Sequence, residues 1–435
     1  MDTPTVPNRL GSRSLSPLPL ARYRTAVTLV LALVALVGYG GYAVQLTVQQ
    51  GWFNYTASDF RAYYATGQIF RNHGPQFIYD SSLQSAYQRA IYDQFVIQTK
   101  HPPAPLVIIP VPYLPPFILP FVLLSYLPPF PAFVVWTFLN GTLILLYLLL
   151  WVRRLCLDQN EGLAYILLIY LSIQNFYTLY CGQVNLLLLV AVGETLFNLN
   201  RKRDFWAGTW LSMGLIKPHA ILLLVLVLWF LRERRFKMGL LSGSFIVGLI
   251  TLALLGLQGL KGYLNMLSSY NPLLRIGGMT WTHLVDNLGI LGISHPLAFA
   301  IGIGIASIVI ASWFSIMRQL LGSPVSQFRW AEIFLLTLAT QSVIAPHGHV
   351  HMTLSLGIPW IVYLHHEKSA ISYILFIVWG VFLGIIYVVT AQKSLGNAIF
   401  LLGMFSFIAH VLVLLVIYHN SKIKTYLPDN FLDKN

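Results

Sequence analysis

Apolar runs recur along the chain at about 25–46, within 106–152, and at 162–180, 183–200, 205–216, 219–231, 238–256, 296–317, 331–344, 352–365, 370–391 and 397–419. A run of roughly 20 such residues reads as a membrane-spanning helix, because lipid offers no partners to backbone N–H and C=O groups. Long strict alternation of polar and apolar residues, the mark of an outer-membrane barrel, is absent. The predicted class is all-α: a polytopic helical membrane protein of about 12 transmembrane helices in a single integral membrane domain over 1–435. Several runs are too short to cross alone. Short helices that meet near one face predict a polar cavity between them.

The polar stretches then define the loops. Residues 1–24 carry Arg9, Arg13, Arg22 and Arg24 ahead of the first run, which makes them a cytoplasmic tail. Residues 47–104 become a large extracytoplasmic loop, and 420–435 a second cytoplasmic tail. Within the loop, "SSLQSAYQRAIYDQF" places Leu83, Tyr87 and Ile91 at spacing four, the pattern of an amphipathic helix at the membrane surface. Segment 106–152 is too long for one span and rich in proline, which breaks helices. The basic clusters Arg153–Arg154, Arg201–Lys202–Arg203, Arg232–Lys237, Arg318, Lys368 and Lys422–Lys424 all fall in the cytoplasm only if 106–152 crosses once in net terms. It then forms a broken re-entrant or surface helix followed by one full span.

Composition supports this class. Hydrophobic residues make up 57% and charged residues 9%, against about 25% charged in soluble domains. The mean hydropathy is +0.69. The net charge of +13 reads as positive-inside bias and not as a nucleic-acid surface, since no basic run is interleaved with regular aromatics. The two cysteines, Cys156 and Cys181, form no motif. Walker A, GxGxxG, HExxH and GxSxG patterns are absent, so a soluble nucleotide-dependent mechanism has no visible machinery.

Five polar features fall on one outer face: the 47–104 loop, "YCGQVN", "KPHA", "WTHLVDNLGI" and "APHGHVH". Asp59 can act as a general base toward a sugar hydroxyl, or as the N-cap of the helix that follows. Tyr63 and Tyr64 suit a carbohydrate face or an interfacial aromatic belt. His347, His349 and His351 alternate; a phosphate or acceptor contact ranks first, a polar helix end second and a metal site last. Lys217 can hold a lipid phosphate or snorkel to the interface, and its place between two short runs favours the phosphate. Gln183 and Asn185 can bond sugar hydroxyls or cap the next helix. Arg61, Arg71, Asp80, Asp286 and Asn287 are further loop candidates.

The ordered stretches "SDFRAYYATGQIF", "IYD", "PPAPLVIIPVPYLP" with "WTFLN", "YCGQVNLLLL", "GLIKPHAILLL" and "APHGHVH" together resemble bacterial polytopic glycosyltransferases of the GT-C class, in the polyprenyl-phosphate-mannose-dependent α-mannosyltransferase branch. The likeness spans roughly residues 50–365. It implies a catalytic aspartate at Asp59, a lysine before proline at Lys217, and a Gly-Gln-x-Asn pattern at Gln183 and Asn185. The family's Ser-Pro-x-Ser-Trp-x-His-His stretch lays its first histidine on His351. Here Ala345 replaces the serine, His349 the tryptophan and Met352 the second histidine.

The resemblance implies transfer of one sugar, mannose, from a polyprenyl phosphate to a hydroxyl of a lipid-linked or surface glycan, with inversion. Asp59 would take the proton. Lys217, His351 and Arg61 would bind the donor phosphate. Tyr63, Tyr64, Gln183, Asn185, His349 and Asn287 would contact sugar or acceptor. No metal or other cofactor is expected. The expected partners are the lipid-linked sugar, the acceptor and membrane lipids, with no nucleic acid. The expected location is the bacterial inner membrane, with the site on the extracytoplasmic side. A flippase of lipid-linked sugars and a glycan ligase remain as alternative readings.

Overall fold

The computed structural model describes residues 18–50, 59–99, 106–269, 278–322, 329–345, 347–367, 369–391 and 395–426. Most of the expected N-terminal tail (1–17), the end of the C-terminal tail (427–435) and loop residues 51–58 and 100–105 lie outside these. Among the described residues the protein is helical throughout, with one isolated β-bridge.

Helix α1 (Leu18–Gln50) precedes α2 (Asp59–His73) and α3 (Ser81–Thr99). Asp80 caps α3, its Oδ1 accepting from the amides of Ser82 and Leu83 at 2.9 Å each. The stripe Leu83, Tyr87 and Ile91 packs inward with the aromatic core around α2, and Gln84 bonds Thr66 of α2 at 2.8 Å. The prolines of segment 106–128 leave extended chain, a 3₁₀ turn at Pro115–Phe117 and the short α4 (Leu119–Leu124). A single membrane-length helix, α5 (Pro129–Arg154), follows. This is the broken-then-spanning arrangement that the proline pattern predicts.

The next helices are short and broken. Helices α6 (Gln159–Tyr170) and α7 (Ile173–Tyr180) meet at 49° where Ser172 caps α7. A turn at 181–184 leads into α8 (Asn185–Asn200). Helix α9 (Asp204–Ser212) runs into a 3₁₀ turn, and α10 (Pro218–Leu231) restarts after Lys217 with proline at its first position. Helix α11 (Arg234–Ser269) packs tightly on α9. A Cβ on Gly208 or Gly239 would stand 2.1 Å or 1.9 Å from the opposing backbone oxygen, so only glycine permits the approach.

The chain continues as α12 (Trp281–Ile290), α13 (His295–Leu321), α14 (Arg329–Ile344), a 3₁₀ segment Val350–Leu356 and α15 (Gly357–Glu367). Then come α16 (Ala370–Ile377), a π-helical stretch, α17 (Leu383–Ala391) and α18 (Leu395–Tyr426). Five described helices are long and apolar enough to cross a membrane, six if α6–α7 counts as one bent span. Helices α8 and α10 are apolar but shorter, and α1 is apolar over Ala26–Tyr42. On α5, α11 and α13 large side chains such as Phe138, Phe245 and Phe314 stay bare, as lipid-facing residues do. Buried α14 and α15 lie at the centre of the main apolar core. A second, aromatic core of Phe60, Tyr63, Phe121, Phe133 and Trp136 lies beneath α2 and carries the site.

Candidate active site

Asp59 opens α2, where a carboxylate suits the positive end of the helix. The Phe60 amide donates to the Cys181 carbonyl at 3.1 Å, which ties the start of α2 to the turn between α7 and α8. Gly182 in that turn has φ +65°, a region that only glycine enters without strain. A Cβ there would also stand 2.7 Å from Phe60 Cβ. Two side chains one helical turn apart on α5 hold the turn from behind. Trp136 Nε1 donates to the Gly182 carbonyl at 2.9 Å and Asn140 Nδ2 to the Gln183 carbonyl at 2.7 Å.

The turn delivers Gln183 between Asp59 and Lys217. Its Nε2 donates to Asp59 Oδ2. Its Oε1 accepts from Lys217 Nζ at 2.7 Å and lies 3.1 Å from Tyr63 Oη. Lys217 Nζ donates again, to Asn185 Oδ1 at 2.8 Å. Asn185 Nδ2 donates to Thr178 Oγ1 at 3.0 Å, and Thr178 donates to the Gln174 carbonyl. Tyr113 completes one wall: its hydroxyl is 3.1 Å from that of Tyr63, and its ring lies 5.7 Å from Lys217 Nζ. Gln183, Asn185 and Lys217 are buried; Asp59 is half-buried and is the most open member of the chain.

These surroundings set the carboxyl of Asp59. Burial pushes its pKa above the ordinary range. The Lys217 charge, the Gln183 amide and the Arg61 charge each pull it back. Arg61, itself buried, points a guanidinium nitrogen to the Val107 carbonyl and so pins the proline-rich segment beside the site.

The histidines cluster near Lys217. His219, His347 and His351 all feel the Lys217 charge. His349 stacks on His351 with centroids 5.7 Å apart. His283, one turn before Asn287 on α12, meets His347 and His349 at 5.4 Å each. His219, Gln341, His347, His349 and Ser355 line a narrow cavity. Asn287 is buried on the histidine side. Tyr64 faces away from Gln183, its hydroxyl donating to the Leu127 carbonyl at 2.7 Å.

Of the residues singled out from the sequence, Asp59, Tyr63, Gln183, Asn185 and Lys217 therefore share one hydrogen-bonded chain, with Arg61 close enough to act on Asp59. His351 lies within reach of the Lys217 charge, and His349 stacks on it. Trp136, Asn140, Tyr113 and His283 lie in the stretches "WTFLN", "PPAPLVIIPVPYLP" and "WTHLVDNLGI", but the sequence reading gave none of them a role of its own. Within "WTFLN" the i, i+4 spacing of Trp136 and Asn140 puts two polar-capable side chains on one face of an apolar helix, which signals their shared role.

Comparison with known proteins bears on the middle of the chain. A search of curated proteins and a search of solved structures each found no match. A family model, Glycosyltransferase family 87, matches residues 112–346. That region contains Gln183, Asn185, Lys217 and Asn287, while Asp59, His349 and His351 fall outside it. The match spans more than half of the 435 residues, and the chain belongs to glycosyltransferase family 87, a family of polytopic membrane glycosyltransferases.

Proposed function

We propose that this glycosyltransferase moves one hexosyl unit, mannose, from a polyprenyl phosphate to a hydroxyl of a lipid-linked or cell-surface glycan. The reaction runs on the extracytoplasmic face of a bacterial inner membrane and inverts the anomeric centre. The acceptor oxygen attacks the anomeric carbon as the bond from that carbon to the phosphate oxygen breaks. Asp59 takes the acceptor proton, and the lipid phosphate departs with the bonding electron pair. Lys217, Arg61 and His351 meet the negative charge that develops on it.

The observation that carries this reading is Gln183, which joins the half-buried Asp59 to the buried Lys217 through one amide. A base and a phosphate-binding cation held one amide apart suit an attack and a departure on opposite faces of a single anomeric carbon. Tyr63 and Tyr113 supply the aromatic wall against which a sugar face packs.

The test supplies the purified protein in liposomes with polyprenyl phosphates carrying labelled mannose, glucose or arabinose, and with a lipid extract as acceptor. Label should pass from the mannose donor to a new glycolipid of inverted linkage, and Asp59→Asn should abolish it. Transfer at wild-type rate by that variant removes Asp59 from the reaction. Transfer only from a preassembled oligosaccharide donor makes the protein a ligase. Movement of lipid-linked sugar across the bilayer without transfer makes it a flippase.

A further inference from the structure

We propose that His283, His347 and His349 form a binding site for one divalent cation of the zinc class. One ring nitrogen from each lies within 4.8 Å of the other two. Ring centroids are 4.8 Å apart for His347 and His349, and 5.4 Å from each of these to His283. A tetrahedral zinc ion with bonds of about 2.05 Å needs its nitrogens roughly 3.3 Å apart, so the ligand atoms close by at most about 1.5 Å on binding. Small rotations of the His347 and His349 rings, both half-buried, supply such a movement.

The cluster is built from two distant parts of the chain, and the backbone fixes them together. Gly278 and His349 form an antiparallel β-bridge, and the Met279 amide donates to the Gly348 carbonyl at 3.0 Å. The His283 ring lies over Gly278 so closely that a Cβ there would stand 2.2 Å from it. The Thr280 hydroxyl stands 2.6 Å from His283 Nδ1. A hydroxyl that accepts from Nδ1–H leaves the Nε2 lone pair of His283 for a ligand, the outer-shell arrangement common to metal-binding histidines. Three imidazoles without a carboxylate or thiolate suit zinc, cobalt or nickel and not magnesium or calcium.

Three protein ligands leave a fourth position for water or another oxygen. Lys217 and His351 border the cluster, so an ion there adds positive charge where the leaving phosphate is placed above. That use rests on the donor reading; the site itself does not.

The test uses full-length protein purified in detergent through an affinity tag free of histidine, stripped with chelator and titrated with Co2+. Uptake of one equivalent with visible ligand-field bands is expected. The double variant His347→Ala, His349→Ala should lose both. Thr280→Val keeps every ligand, and should weaken cobalt binding by roughly 10- to 100-fold. Failure of the wild type to take up cobalt above the level of the double variant overturns the site, whatever the transfer assay gives. Unchanged affinity in Thr280→Val overturns the assigned role of His283. Cobalt uptake with sugar transfer indifferent to chelator keeps the site and removes the ion from the reaction.

Discussion

Replacing Gln183 with methionine keeps the side-chain length and removes both ends of its bridge. Asp59 loses the amide donor, and Lys217 keeps Asn185 as a partner at 2.8 Å. A hydrogen bond to a charged group is worth about 1.5–3 kcal/mol. That energy stabilises the carboxylate and not the carboxylic acid, so its loss raises the Asp59 pKa. The direction adds to the upward push of burial. A general base works only when ionised, so activity disappears as pH falls through its pKa. The initial rate of sugar transfer, measured across pH at saturating donor, should therefore show its acid limb moved to higher pH. The alkaline plateau should stay near that of the wild type. An unmoved limb with a plateau depressed at every pH refutes the argument. It would mean that Gln183 acts on the sugar and not through Asp59.

Asp59→Asn should lose about 10²–10⁴-fold in transfer rate and remain monodisperse on size-exclusion chromatography. Because the folded pKa of Asp59 is raised, its contribution to stability is present at acid pH and falls as pH climbs through that value; thermal unfolding against pH should be flatter in Asp59→Asn over that window. Lys217→Met should cut kcat/KM for the lipid donor by roughly 10- to 100-fold, the worth of one charge-assisted contact; an unchanged value in donor titrations removes Lys217 from phosphate binding. Gly182→Ala forces a side chain into φ +65° against Phe60, and should cost about 1–3 kcal/mol of stability and displace Asp59, visible as a lower melting temperature together with a lower kcat.

The helical membrane class was legible because lipid acts on each run of about 20 residues separately, and hydropathy measures that directly. The breaks were legible for a similar reason. Pro218 cannot continue the preceding turn and Gly182 alone takes its backbone angle, so "KPHA" and "CGQVN" mark the interruptions in one dimension. Lys217, Gln183 and Asn185 could be named as candidates because each stands beside such a break, and Asp59 because it is a carboxylate in the polar stretch after the first apolar run. Their roles could not be separated there, and sugar contact or helix capping fitted Gln183 equally. Only the packing of α2, α5 and the α7–α8 turn sets Gln183 between a carboxylate 124 positions away and an ammonium 34 positions away. The histidines divide in the same manner. Alternation in "APHGHVH" was visible, while His283 joins through a β-bridge between segments some seventy residues apart. Hydropathy and backbone limits act over a few residues and can be read in order along the chain. Which polar side chains meet depends on how whole helices pack, and that is settled by close approaches such as Gly208 against Phe236 and Gly239 against Phe205, partners that no local pattern specifies.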